Sequence, residues 1–246
     1  MKHITKFAAL AASALCLVGC ASTEYSMTPT GDAGGAVSYQ SGQATVASEK
    51  DHSAVKVTPM GTNGYGMMKF GVAVLNRSSA PANIGTEDIT LSDSLGSSLH
   101  VYTVAELTKA AQRRAATAEV LLALAGAAAA YGDSQSAYTT TYGNVGGTTY
   151  TATTYNPYLA NDLAERDAAN TGAAMSSVNA SLNNVLANLN NSALQMTTVQ
   201  PNNLFGGLVW AAPPKGLSEA KTPPVVTVTV EFAGDVHTFH FSLSKQ

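Results

Sequence analysis

The hydrophobic period of this chain changes twice, and that double change limits the fold more than any single motif. From Ala54 to Thr103 apolar residues recur at every second position, the period of strands with one buried face. Val55 and Val57 alternate with polar residues, then Pro59 to Gly66 interrupts. Met68, Phe70, Val72 and Val74 form the strongest stripe; Ile89 and Leu91, then Leu99 and Val101, continue it beyond turn segments at 76–83 and 93–96. From Val104 the pattern is helical. Val104 to Tyr131 lacks proline and is dominated by Ala and Leu, the best helix formers. Pro157 can open a second helix at its first turn, and Met175, Val178, Leu182, Val185 and Leu189 continue it at spacings of three and four, which defines one seam. Period two returns with Leu194, Met196 and Thr198, and next with Leu208 and Trp210. Val226, Val228, Val230 and Phe232 then run to a turn at Gly234-Asp235 and back through Phe239, Phe241 and Leu243, a hairpin pattern.

Each β segment is about 50 residues, too short to be comfortable as a domain of its own. The economical reading is α+β: one antiparallel β-sandwich of seven or eight strands, assembled from 53–103 and 193–246, with an α-helical hairpin inserted at 104–192. Thr197-x-x-x-Pro201 leading to Gly207-Leu208-Val209 resembles the edge of immunoglobulin-like domains in bacterial lipoproteins; the likeness covers the β parts and implies an immunoglobulin-like sandwich without implying an activity.

The amino terminus carries an address. Lys2, His3 and Lys6 precede an apolar run from Phe7 to Val18, followed by the small Gly19. As a helix that run covers roughly 18 Å, short of a ~30 Å hydrocarbon core. Leu17-Val18-Gly19-Cys20 resembles the lipobox of bacterial lipoproteins. The resemblance implies removal of 1–19 by cleavage between Gly19 and Cys20, a diacylglyceryl thioether on Cys20, and acylation (palmitate or similar) of its new amino group. One acyl chain anchors only marginally; two or three hold a protein on the membrane. Ala21 rather than Asp after the cysteine implies the outer membrane, facing the periplasm. Cys16 leaves with the leader and Cys20 is consumed by lipid, so the mature chain keeps no thiol for a disulfide.

Residues 20–52 are rich in Ser, Thr, Gly and Ala without periodicity and read as a flexible tether that would hold the domain ~30 Å from the bilayer. Removing Lys2 and Lys6 takes the formal charge from -3 to -5. No basic footprint is left for nucleic acid.

Candidate chemistry is sparse. His237 and His240, three apart in a strand, point to opposite faces, which excludes a shared metal; His237 falls on the face of Phe239, His100 on an outer face, and His52 at the end of the tether. Glu87, Asp88 and Asp93 lack the spacing and central glycine of a calcium loop and read as turn and cap residues. The glycines at 61, 64 and 66 do not form G-x-G-x-x-G, and no G-x-S-x-G or H-E-x-x-H occurs. No enzyme, cofactor or metal is therefore expected.

The inserted segment carries the remaining expectation. Val120 to Tyr131 is apolar all round, which calls for burial against protein or lipid, and its small residues allow another helix to approach closely. Three placements stay open: packing on the second helix and on the sandwich, packing on copies of itself or on a partner, and partial insertion into lipid beside Arg113 and Arg114. Six of the ten tyrosines fall between 131 and 158, so the Tyr/Thr/Gly segment 132–156 reads as a connector loop or as a recognition surface. The residues singled out for such a surface are Tyr138, Tyr142, Tyr150, Tyr155, Leu121 and Leu124. Two functions follow: a non-enzymatic envelope lipoprotein that associates with a protein partner or itself, and a periplasmic glycan- or peptide-binding module.

Overall fold

The computed structural model describes residues 24–40, 42–63, 66–145, 148–217, 220 and 222–245. The leader and Cys20 lie outside them. The chain is mixed α+β, its sheets antiparallel throughout the described residues, with two long helices. It divides into two compact units: the first holds the chain up to Thr103 and from Leu194 onward, the second runs Val104–Ala193.

In the first unit β1 (Tyr25–Pro29), β2 (Ala36–Gln40), β3 (Gln43–Glu49), β4 (Ser53–Thr62) and β5 (Met68–Asn76) precede β6 (Ala82–Ile84), β7 (Ile89–Asp93), β8 (Ser98–Leu99) and β9 (Val101–Tyr102). After the second unit come β12 (Thr197–Val199), β13 (Leu204–Ala211), β14 (Val225–Phe232) and β15 (Asp235–Lys245). One sheet has the order β1-β15-β14-β7-β8, another β2-β3-β4-β5-β13-β9, and β12 pairs with β6. A five-stranded and a six-stranded sheet exceed the seven or eight strands that alternation suggests.

The two larger sheets share one apolar core. Met68, Phe70, Val72 and Val74 from β5 meet Val226, Val228, Val230, Phe239, Phe241 and Leu243 from β14 and β15. The Phe70 and Phe241 rings lie 5.7 Å apart. Asn76 closes the end of this core: its Nδ2 donates to the Ala80 and Val199 carbonyls, and its Oδ1 accepts from the Ser78 N–H and hydroxyl.

Several expectations are corrected. Segment 20–52 is not a tether along its length, because three strands occupy 25–49. Its Thr, Tyr and Val residues suit strands, and backbone pairing to β15 and β4 supplies what periodicity does not show. Four residues separate Cys20 from Tyr25. Strand β4 continues through Pro59 with a register shift between Pro59 and Thr62, a place where a missing N–H is tolerated. In β13 the buried residues are Val209 and Ala211, not Leu208 and Trp210; in β12 Val199 is buried, while Met196 just before it is exposed. The β14–β15 turn is Ala233-Gly234, both at positive φ (51° and 84°), the geometry of a tight hairpin turn, with Asp235 already in the strand opposite Phe232.

The second unit is α1 (Val104–Ser136), β10 (Tyr138–Val145), β11 (Thr148–Tyr155) and α2 (Pro157–Ser192). The segment 132–156 is thus no loop: α1 continues to Ser136 and a β-hairpin follows, as Tyr/Thr-rich alternation permits. Asn156 caps α2, its Oδ1 accepting from Tyr158 N–H and Leu159 N–H, with Pro157 at the first helical position.

Candidate functional site

The helices of the second unit meet along small residues. A Cβ on Gly126 of α1 would stand 2.5 Å from Thr171 Oγ1 of α2, so the backbone of one helix lies directly against a side chain of the other. An open groove of about 450 Å³ runs beside this crossing, lined by Ala127, Ala130, Ala164, Asp167 and Met175 among others. Asp167 Oδ2 is buried there without a hydrogen-bond partner among the described residues.

Burial of the Val120–Tyr131 segment is not found among the described residues of its own unit. Leu122 and Gly126 are partly covered, whereas Val120, Leu121, Leu124 and Tyr131 are 59%, 61%, 63% and 72% exposed. An Ala-rich helix can be apolar on every face while only one narrow stripe meets its neighbour. On α2 the expected seam also holds only in part: Leu189 is buried, Met175, Val178 and Leu182 are half-buried, and Val185 is exposed.

Of the residues singled out, Leu121 and Leu124 therefore sit on one uncovered helical face. Tyr138 and Tyr155 face each other across the β-hairpin, ring centroids 5.0 Å apart, each about half exposed. Tyr142 pairs with Thr151 and Tyr150 with Gly143 in the backbone register; the side chains of Tyr142 and Tyr150 lie outside the described residues, as do Gly19 and Cys20. Both outer edges of this two-stranded sheet are unpaired among the described residues.

The first unit contains a second polar constellation that sequence reasoning missed. His237, fully buried in β15, places Nε2 2.8 Å from Ser53 Oγ and Nδ1 3.0 Å from Ser48 Oγ. Ser53 Oγ lies 2.8 Å from Asp235 Oδ2. Asp235 also accepts the His52 N–H at 3.0 Å and lies 3.4 Å from His52 Nδ1. Burial pushes His237 below the usual histidine value, the Lys50 ammonium adds to this, and the Asp235 carboxylate opposes it. Desolvation alone would raise Asp235; hydrogen bonds from Ser53 and His52, with the charge of His52, outweigh it and hold the carboxyl below its ordinary value. The available signal was parity, since Asp235, His237 and Phe239 share one face of a strand. Nothing in sequence marks Ser48 or Ser53 as their partners.

The remaining candidates are local. Asp88 accepts the Gly85 N–H, and Asp93 accepts from Leu95 and Ser97, so both serve turns. His100 is exposed and packs edge-on against Tyr102. Among the described residues no group of three His, Cys, Asp or Glu could hold a metal ion, and no helix is long and apolar enough to cross a membrane. No family model, curated protein or solved structure matches this chain.

Proposed function

We propose that this chain is a non-enzymatic cell-envelope lipoprotein, anchored through lipidated Cys20 to the outer membrane on its periplasmic side, and that its helical unit associates with a second copy of itself. The observation that carries the association is the uncovered apolar face of α1 at Val120, Leu121, Leu124 and Tyr131. Soluble monomers rarely leave contiguous apolar patches without a use for them. The facing chemistry supports a self-complementary contact, because α2 has no charged residue after Asp167 and β10–β11 has none at all. The sharing of one core by the two larger sheets supports the immunoglobulin-like sandwich as the carrier of this unit. The anchor rests on the Leu17-Val18-Gly19-Cys20 motif. Cys20 and the start of β1 at Tyr25 are five steps apart and can be separated by at most ~18 Å, so the carrier would sit close to the headgroups.

The test is light scattering during size exclusion on protein starting at residue 21. The expected result is an oligomer that Leu121→Glu with Leu124→Glu converts to a monomer. Burial of a leucine contributes about 1.5–3 kcal/mol, so losing two weakens association by ~100-fold or more. A wild-type monomer, or an oligomer indifferent to both changes, would refute the reading.

A further inference from the structure

We propose that His237 is an acid-sensitive latch: a proton taken up on its Nδ1 unfastens the end of the first unit where the β3–β4 turn meets the β14–β15 hairpin. Proton inventory settles the ring's resting form. The Asp235 carboxylate and the Phe232 carbonyl can only accept, so the single Ser53 hydroxyl proton is given to them, chiefly to Asp235 Oδ2 at 2.8 Å against 3.3 Å for the carbonyl. Ser53 Oγ must then accept from His237, which places the ring proton on Nε2. Nδ1 of that neutral tautomer is an acceptor, and the Ser48 hydroxyl donates to it. The resting chain reads Ser48 O–H to Nδ1, Nε2–H to Ser53 Oγ, and Ser53 O–H to Asp235.

This chain joins the two larger sheets. Ser48 and Ser53 belong to the sheet of β3 and β4, Asp235 and His237 to that of β15. Two further bonds fasten the same end: His52 N–H to Asp235, and Lys50 Nζ to the Val236 carbonyl. A proton arriving at Nδ1 sets an N–H against the Ser48 O–H. The Ser48 hydroxyl must turn its proton away and accept from Nδ1–H instead, and a cation is left in a fully buried position, which is the cost that opens this end. The charged groups acting on the ring are Lys50 from the β3–β4 turn and Asp235 from β15, with His52 of the same turn on the far side of Asp235 through a hydrogen bond; β4 contributes Ser53, and β14 the Phe232 carbonyl beside it. Asp235 favours the charged ring but acts through Ser53, while Lys50 opposes it.

The direction follows from linkage. An opened or unfolded histidine titrates near ~6.5, and the buried ring titrates lower. The opened form therefore binds the proton first. The latch is fully fastened above ~6.5 and weakens as pH falls from there toward the folded value. Asp235, held below the usual carboxylate range, stays ionised in that interval.

The test pairs histidine ¹⁵N spectra with hydrogen exchange, corrected for intrinsic rates, on protein starting at residue 21. Near neutral pH the His237 ring is expected as the Nε2–H tautomer. From about pH 7.5 to 4.5, spanning the free histidine value, amide protection at 48–53 and 233–238 is expected to fall about tenfold or more while β5 and β7 keep theirs. His237→Gln can keep an N–H toward Ser53 and an oxygen toward Ser48 but cannot titrate, so its protection should not follow pH. Asp235→Asn, a milder change, should lower the pH at which the ring protonates. An Nδ1–H tautomer at neutral pH, equal acid loosening in His237→Gln, or an unmoved ring midpoint in Asp235→Asn would overturn the proposal.

Discussion

Replacing Gly126 by Ala tests whether the α1–α2 contact is set by the close approach at Thr171. In an open helix interior the change would stabilise by about 1 kcal/mol, since Ala is the best helix former and Gly among the worst. Here the new methyl would stand 2.5 Å from Thr171 Oγ1 and 3.2 Å from its Cγ2. Rotating Thr171 gives little relief, because a helical threonine has two useful rotamers and exchanging them brings the other γ atom round. Overpacking of this kind costs about 1–3 kcal/mol. The net expectation is a loss of about 1 kcal/mol. Thr171→Ala removes both γ atoms and leaves the Thr171 Cβ position at 3.4 Å, an ordinary contact. In that background Gly126→Ala should stabilise by about 1 kcal/mol, so the two sites couple by roughly 2 kcal/mol. Urea unfolding followed by helical circular dichroism at 222 nm reads all four proteins. If Gly126→Ala stabilises the parent chain as much as the Thr171→Ala chain, the close approach does not exist and the groove beside it has another shape.

Asn76→Ala should destabilise the first unit by about 2–4 kcal/mol in urea melts, because it leaves the buried Val199 carbonyl without its side-chain donor and removes the acceptor for Ser78. A loss under ~1 kcal/mol would mean that water replaces those bonds. Cys20→Ser should abolish incorporation of labelled palmitate and release the chain from the membrane fraction. A variant retained on membranes would point to another anchor.

The strands whose inward residues alternate strictly were legible in sequence: Met68 to Val74, Val226 to Phe232 and Phe239 to Leu243 all keep their faces in the core. Both helices were legible too, since Ala, Leu and Pro157 are local signals. What escaped notice depends on partners distant in sequence. Strand β1 exists through pairing with β15, Tyr25 opposite Lys245, and its own composition reads as linker. The parity error in β13 has the same origin: Leu208 and Trp210 are larger than Val209 and Ala211, but the core side is decided by pairing with β5. The His237 chain was half legible, because the histidine's face could be read and its serine partners, more than 180 residues away, could not. Conversely, the apolar Val120–Tyr131 stretch suggested burial by composition, yet side chains pointing away from α2 find nothing to cover them in the described residues.

Between Asp167 and Lys215 the chain carries no charged side chain, and the exposed apolar face of α1 carries none from Val120 to Tyr131. A contact made from these surfaces would have no ion pairs for salt to screen, so its strength should stay level or rise slightly with ionic strength. Its dependence would be on temperature instead. Association driven by removing apolar surface from water weakens on cooling and carries a negative heat-capacity change. Assemblies of this protein should therefore survive high-salt washes and loosen in the cold room.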